Sequence, residues 1–221
     1  MSDAIEHLLT ALQFGDGQFP GGGFAFSWGL ETLVGDGKLG RAAFADFLEG
    51  QLLHRWASFD RVLIAQAHAA KSVMRLLELD DLTDAFLTVE SARLGSRRAG
   101  GALLGTHLRL GTPGAAAIKS AALYTHLPIV QGVVLSGIGL DETAALAVSA
   151  YTMAQALCTA AIRLGLIGHL DAQRALTRMR PVVAEILSGP NPNLDDISTF
   201  VPVTDIAMMR HSSQAQRLFS N

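Results

Sequence analysis

The residues that most invite a chemical reading come early in the chain. Ala25-Phe26-Ser27-Trp28-Gly29 nearly matches the Gly-x-Ser-x-Gly elbow, where a strand-to-helix turn exposes a nucleophilic serine beside a parallel sheet. The glycines from Gly15 to Gly29 also invite a phosphate-binding reading. A phosphate loop, however, needs Gly-Lys-Ser/Thr, so that lysine meets the phosphates and the hydroxyl meets magnesium, and that tripeptide occurs nowhere in the chain. A dinucleotide site needs a preceding strand, whereas Leu8 to Phe14 reads as helix. Ser27 is then either the nucleophile of a small helical hydrolase or, more simply, a residue that caps or packs a helix start.

Metal and redox chemistry find little support. The seven histidines are His7, His54, His68, His107, His126, His169 and His211, and no two stand four apart. None neighbours Cys158, so zinc-type spacing is missing. Met208, Met209 and His211 gather soft and borderline donors, but no preformed metal site and no cofactor is expected. The single cysteine cannot form an intrachain disulfide, which fits a reducing compartment. Asp171, Arg174 and Arg178 are spaced to share one helix face as ion pairs.

The elements that would position these groups read as helices. Phe44, Phe47, Leu48 and Leu52 recur at helical spacing, as do Phe59, Val62, Leu63, Gln66, Ala70, Val73, Met74 and Leu77, and later Ala172, Leu176, Met179, Val183 and Ile186. The one strand-like run, Ile129 to Leu135, has no second strand to pair with and reads as a buried helix. Glycine and proline mark the breaks: a loop from Gly15 to Gly23, a stop at Gly35-Asp36-Gly37, a turn at Gly111 to Gly114, and a helix opened by Pro128. Asp141 and Glu142 suit the positive start of the next helix, and Pro181 is expected to kink or interrupt its own. Gly95, Gly100, Gly101 and Gly105 sit in one helical stretch, where each costs about 1 kcal/mol relative to alanine. Close approach of a neighbouring helix would offset that cost.

The whole is expected to be an all-α, single-domain helical bundle: a core over 1–187, a linker over 188–193 and a C-terminal docking tail over 194–221. Apolar residues make up 49% and charged residues 17%, a composition that can build a core and leave apolar surface for a partner. The net charge of −3 and the absence of a lysine- and arginine-dense run exclude a nucleic-acid footprint. The acidic N-terminus, without a basic stretch before an apolar one, is not expected to be a signal peptide. Thr143 to Ile162 lacks charge for 20 positions, the length of a membrane span. Its alanines and the polar Ser149, Thr152, Gln155 and Thr159 suit the central helix of a bundle better, so no membrane and a cytoplasmic location are expected.

Three blocks resemble the UreF family of urease accessory proteins. The first is Phe19-Pro20-Gly21-Gly22-Gly23-Phe24-Ala25-Phe26-Ser27-Trp28-Gly29-Leu30-Glu31. The second runs from His126 to Arg174 and holds Pro128, Gly132, Gly139, Ala160 to Gly165, Gly168 and Gln173-Arg174. The third, and most specific, is Pro202 to His211 followed by Gln216-Arg217-Leu218-Phe219. Trp28 stands where the family usually has a polar residue, Leu166-Ile167-Gly168-His169 varies a segment that commonly reads Pro-Leu-Gly-Gln, and Ser212 replaces a frequent acid.

The resemblance implies an all-α homodimer that is not an enzyme. It would bind the accessory protein UreD (also called UreH), recruit the GTPase UreG, and help place nickel into apo-urease while UreG hydrolyses GTP. The residues implicated in partner binding are Phe24, Ser27, Trp28, Glu31, Asp205, Ile206, Met209, Arg210, His211, Arg217, Leu218 and Phe219. The tail is expected to be mobile alone and to order on UreD, burying Ile206, Met209, Leu218 and Phe219 and pairing Arg210 and Arg217 with acids. For Phe24 and Phe26, core packing is the simpler reading, with an inter-subunit groove as the alternative for these two and Trp28. The competing functions are the Ser27 hydrolase and a helical interaction module without a metal pathway.

Overall fold

Local signals set several helix ends in the computed structural model, which describes residues 2–121, 124–211, 214 and 217–220. Helix α1 (Ser2–Phe14) leads through a glycine-rich loop and a 3-10 turn (Gly23–Ala25) to α2 (Leu30–Gly35). A second 3-10 turn (Arg41–Ala43) opens a long helical rod made of α3 (Phe44–Gln51), a π-helical segment (Leu52–Asp60) and α4 (Arg61–Ala69). Then come α5 (Val73–Phe86), α6 (Glu90–Leu110), α7 (Ala115–Ser120), α8 (Leu127–Gly137), α9 (Glu142–Arg163), α10 (His169–Ser188) and, after a 3-10 turn at Leu194–Asp196, α11 (Pro202–His211). Ser72 caps α5 by accepting the Arg75 N–H, and Asp141 caps α9 by accepting the Ala144 N–H at 2.8 Å. Gly111, with φ of 71°, ends α6 in the left-handed conformation that glycine adopts at low cost. The fold is all-α, with no strand among the described residues.

Two apolar clusters share α9. One joins α2, α3, α9 and α10 around Phe44, Leu48, Trp56 and Leu157. The other joins α4 through α8 around Phe59, Leu63, Leu79, Ile118 and Ile129. The β-branched run Ile129 to Leu135 is helix α8, buried between α4 and α6. Gly132 permits that burial: a Cβ there would stand 2.6 Å from both Ala67 Cβ and Ile64 O. In α6, Gly100 lets the backbone entering α8 at Thr125 and His126 come close, while Gly105 faces open space. Close approach thus accounts for part of the glycine cluster only. Among the described residues, α9 is the one helix long and apolar enough to cross a membrane, and 56% of its most apolar stretch is buried inside the bundle.

Two local expectations differ. Helix α10 continues through Pro181 to Ser188 without a break. Arg174 pairs with Asp171, but Arg178 turns to Asp46 and Glu49 at 2.7 and 2.8 Å, because α10 packs beside α3.

The tail also differs from a free arm. The linker is pinned by buried Arg61, which donates to Asn191 Oδ1, Gly189 O and Pro190 O. Beyond it, the Ser198 and Phe200 amides donate to the Ser58 and His54 carbonyls of the π-helical segment. Ile197, Val201, Ala207, Met208 and Phe219 are buried. The tail as described lies on its own bundle, since it carries apolar groups that the core can cover. Ser212 and Gln216 lie outside the described residues.

Candidate functional site

The first and third sequence blocks meet in space, with the end of α9 between them. Glu31, on the first turn of α2 and 8% exposed, accepts from the Leu218 amide at 2.6 Å and the Phe219 amide at 3.3 Å. Its carboxylate also pairs with His211 Nε2 at 2.8 Å. One carboxylate therefore ties α11 and the following segment to α2. Beside it, the Arg163 guanidinium lies 4.0 Å from the Phe24 ring centroid and 4.1 Å from that of Phe219. The same group donates to the carbonyls of Phe24 at 2.6 Å and Leu218 at 3.4 Å. A planar cation against two rings, with its donors on carbonyls, is an arrangement that lysine could not copy. The Ser220 amide completes the join by donating to Ala25 O at 2.8 Å.

The predicted residues divide by exposure. Phe24, Ile206, Met209, Arg210, Arg217 and Leu218 are exposed; Ser27, Glu31, His211 and Phe219 are buried; Trp28 and Asp205 are half-buried. Phe26 is buried and stacks on Trp28 at 5.3 Å, as core packing requires. Phe24 is 68% exposed, so the core reading fails there; Arg163 and solvent face its ring instead. Trp28 takes φ of 51°, which turns its ring toward Gly95, where no side chain obstructs it. Arg210 pairs with Asp36 at 2.6 Å. Burial raises the Asp205 carboxyl above its usual range, against the opposing charge of Arg55.

Ser27 is fully buried, and its Oγ accepts the Glu31 N–H at 3.4 Å. It supports the start of α2 and cannot reach a substrate, which removes the hydrolase reading. No group of three or more His, Cys, Asp or Glu able to hold a metal occurs among the described residues.

Two structural features of this region and of α1 were not foreseen from the residues alone. Arg163 was visible only as part of a family block, because its partners lie 139 and 55 residues away. The other is the outer face of α1, where Ile5, Leu8, Leu9 and Leu12 are all more than half exposed. Their i, i+3, i+4, i+7 spacing was the available signal, and it gives an apolar stripe that the chain's own bundle leaves uncovered. On α11, Val203, Ile206 and Met209 form a second exposed apolar row at spacing three.

Comparison with known proteins places this geometry in context. Residues 39–180 match the family model described as UreF. The chain is 32% identical over 230 residues to the urease accessory protein UreF of Trichodesmium erythraeum, covering 98% of each chain. It is 32% identical over 230 residues to the protein of that name from Rhodopseudomonas palustris, covering 99% of this chain and 94% of the relative. For that of Actinobacillus pleuropneumoniae serotype 5b the identity is 29% over 226 residues, covering 98% and 97%.

Proposed function

The chain belongs to the UreF family of urease accessory proteins, and from that premise we propose that it acts as a docking scaffold in nickel insertion. In this reading it bridges UreD (UreH) and the GTPase UreG on apo-urease, as a homodimer in the cytoplasm, and contributes surface rather than chemistry. The observation that carries the reading is the set of exposed apolar side chains on segments braced against the bundle. Phe24, Ile206, Met209 and Leu218 are all more than half exposed, while the Glu31 and Arg163 contacts hold the backbone that presents them. Exposed apolar side chains held in a fixed geometry suit a partner surface, since little entropy remains to be lost on binding. Arg210 and Arg217 at the rim supply charge for orientation, and Arg210 already uses Asp36 within the chain.

The buried members of the predicted set, Ser27, Glu31, His211 and Phe219, support this platform from below. Trp28 and Asp205 stand between the two groups. The test is urease activation in cells lacking their own factor. Wild-type chain should restore activity, and Met209→Asp with Leu218→Asp should not, although both proteins accumulate to equal levels. Full restoration by the double variant would remove this surface from the mechanism.

A further inference from the structure

A cavity of about 540 Å³, partly open to solvent, is lined by the π-helical segment, α6, α8 and α9, by the glycine-rich loop before α2, and by tail residues of α11. Its size is that of a site for a small organic molecule. Two independent features of its wall point to an occupant.

The first is the π-helix. Such segments are rare, join residues five apart, and concentrate at functional sites. Arg55 and Asp60 are five apart and form an ion pair, with Nε to Oδ2 at 3.0 Å, and both line the cavity. The distortion thus turns a pair of opposite charges onto the same wall, where they neutralise each other.

The second is a directed hydrogen-bond relay. The Trp56 indole N–H, which can only donate, reaches Ser149 Oγ at 3.2 Å. Ser149 then donates to Gln131 Oε1, also at 3.2 Å. That order fixes the Gln131 amide and leaves its Nε2 with no hydrogen-bond partner among the described residues, although Gln131 lines the cavity. The Gln155 side chain lines it as well, without a hydrogen bond among the described residues. The remaining wall includes Leu103, Val134, Val148 and Leu157.

Charge narrows the class of ligand. Burial lowers the His107 imidazole, which favours its neutral form, and Asp16 sits at an exposed position. With Arg55 already on Asp60, an ion entering the cavity would lose its water without gaining a counter-charge.

We propose that this cavity binds an uncharged amphipathic small molecule whose carbonyl or amide oxygen accepts from Gln131 Nε2 while its apolar body fills the remaining space. The cavity shares Phe24 and Trp28 with the docking block, but its binding test does not depend on urease maturation. Two probes of equal body and different charge, 1-naphthaleneacetamide and 1-naphthaleneacetate, are titrated into the full chain. Binding is followed by tryptophan fluorescence, since Trp28 and Trp56 line the cavity, and by protein NMR shifts. The amide should bind saturably, one per chain, and at least tenfold more tightly than the carboxylate. Gln131→Leu should weaken the amide at least tenfold and remove the difference, and Thr152→Trp, which fills the cavity, should abolish binding of both. Helix content by circular dichroism checks that each variant folds, and the wild-type pair of titrations decides without any variant. Failure of the amide to saturate, equal affinity for the two probes, or unchanged discrimination in a folded Gln131→Leu chain would overturn the proposal.

Discussion

Replacing Glu31 with glutamine tests how the platform is held. In the wild type a single buried carboxylate meets His211 Nε2 and the amides of Leu218 and Phe219, at 2.8, 2.6 and 3.3 Å. Glutamine keeps the shape but removes the charge and one acceptor oxygen, so at least one donor faces an amide group that cannot accept. A hydrogen bond to a charged group contributes about 1.5–3 kcal/mol, and a stranded buried donor costs about 1–3 kcal/mol. Taking one of each at the lower end gives a loss of about 2.5 kcal/mol in tail docking, or about 70-fold in the closed-to-open ratio. The loss should be local, because the segment can open without unfolding the bundle. Native-state hydrogen exchange reads it directly: the Leu218 and Phe219 amides should lose about two orders of magnitude of protection, while amides in α8 and α9 keep theirs. If protection at Leu218 and Phe219 changes by less than threefold, the carboxylate is not what holds the segment, and the reasoning fails.

Other expectations follow from the same structure. Arg163→Lys keeps a charge but loses the planar contact with Phe24 and Phe219; it should weaken docking of the segment by about 1–2 kcal/mol, visible as faster exchange at Phe219. Gly132→Val should destabilise the chain by about 3 kcal/mol or more, since α4 would have to move from α8; chemical denaturation measures it. His107 is buried against Phe14 and Phe19 with its pKa lowered from 6.5 by burial. The unfolded chain therefore binds the proton more readily, so this group's stabilising contribution is complete above pH 6.5 and is lost as pH falls through the lower folded value. Thermal melts between pH 7.5 and 5 should show that decline, and His107→Gln should flatten it; an equal slope in the variant would assign the decline elsewhere.

How much of this was legible depended on the distance between cause and effect. Asp141 and Glu142 at the start of α9, Pro128 at a helix start and the apolar stripe of α10 are decided within a few residues, and each stands where local chemistry puts it. What failed was set by tertiary contact. Phe24 is an aromatic residue in an apolar stretch, yet a cation from α9 gives its ring a place at the surface. Arg178 left its own helix face because α3 offered two carboxylates. The tail reads as polar and proline-rich at its start, but Glu31 and the π-helix carbonyls supply acceptors that no window of the tail sequence contains. The π-helix itself has no local signature; only the Arg55 and Asp60 spacing hints at it afterwards.

The central claim is that this chain works by presenting a braced apolar surface to other accessory proteins. Size-exclusion chromatography with light scattering on the purified chain mixed with cognate UreD and UreG tests it most directly. A stable mixed complex that disappears with Met209→Asp and Leu218→Asp, in a variant that keeps its helix content and melting temperature, is the predicted result. Components that elute separately with the wild-type chain, or a complex that the folded double variant still forms at full stoichiometry, would contradict it.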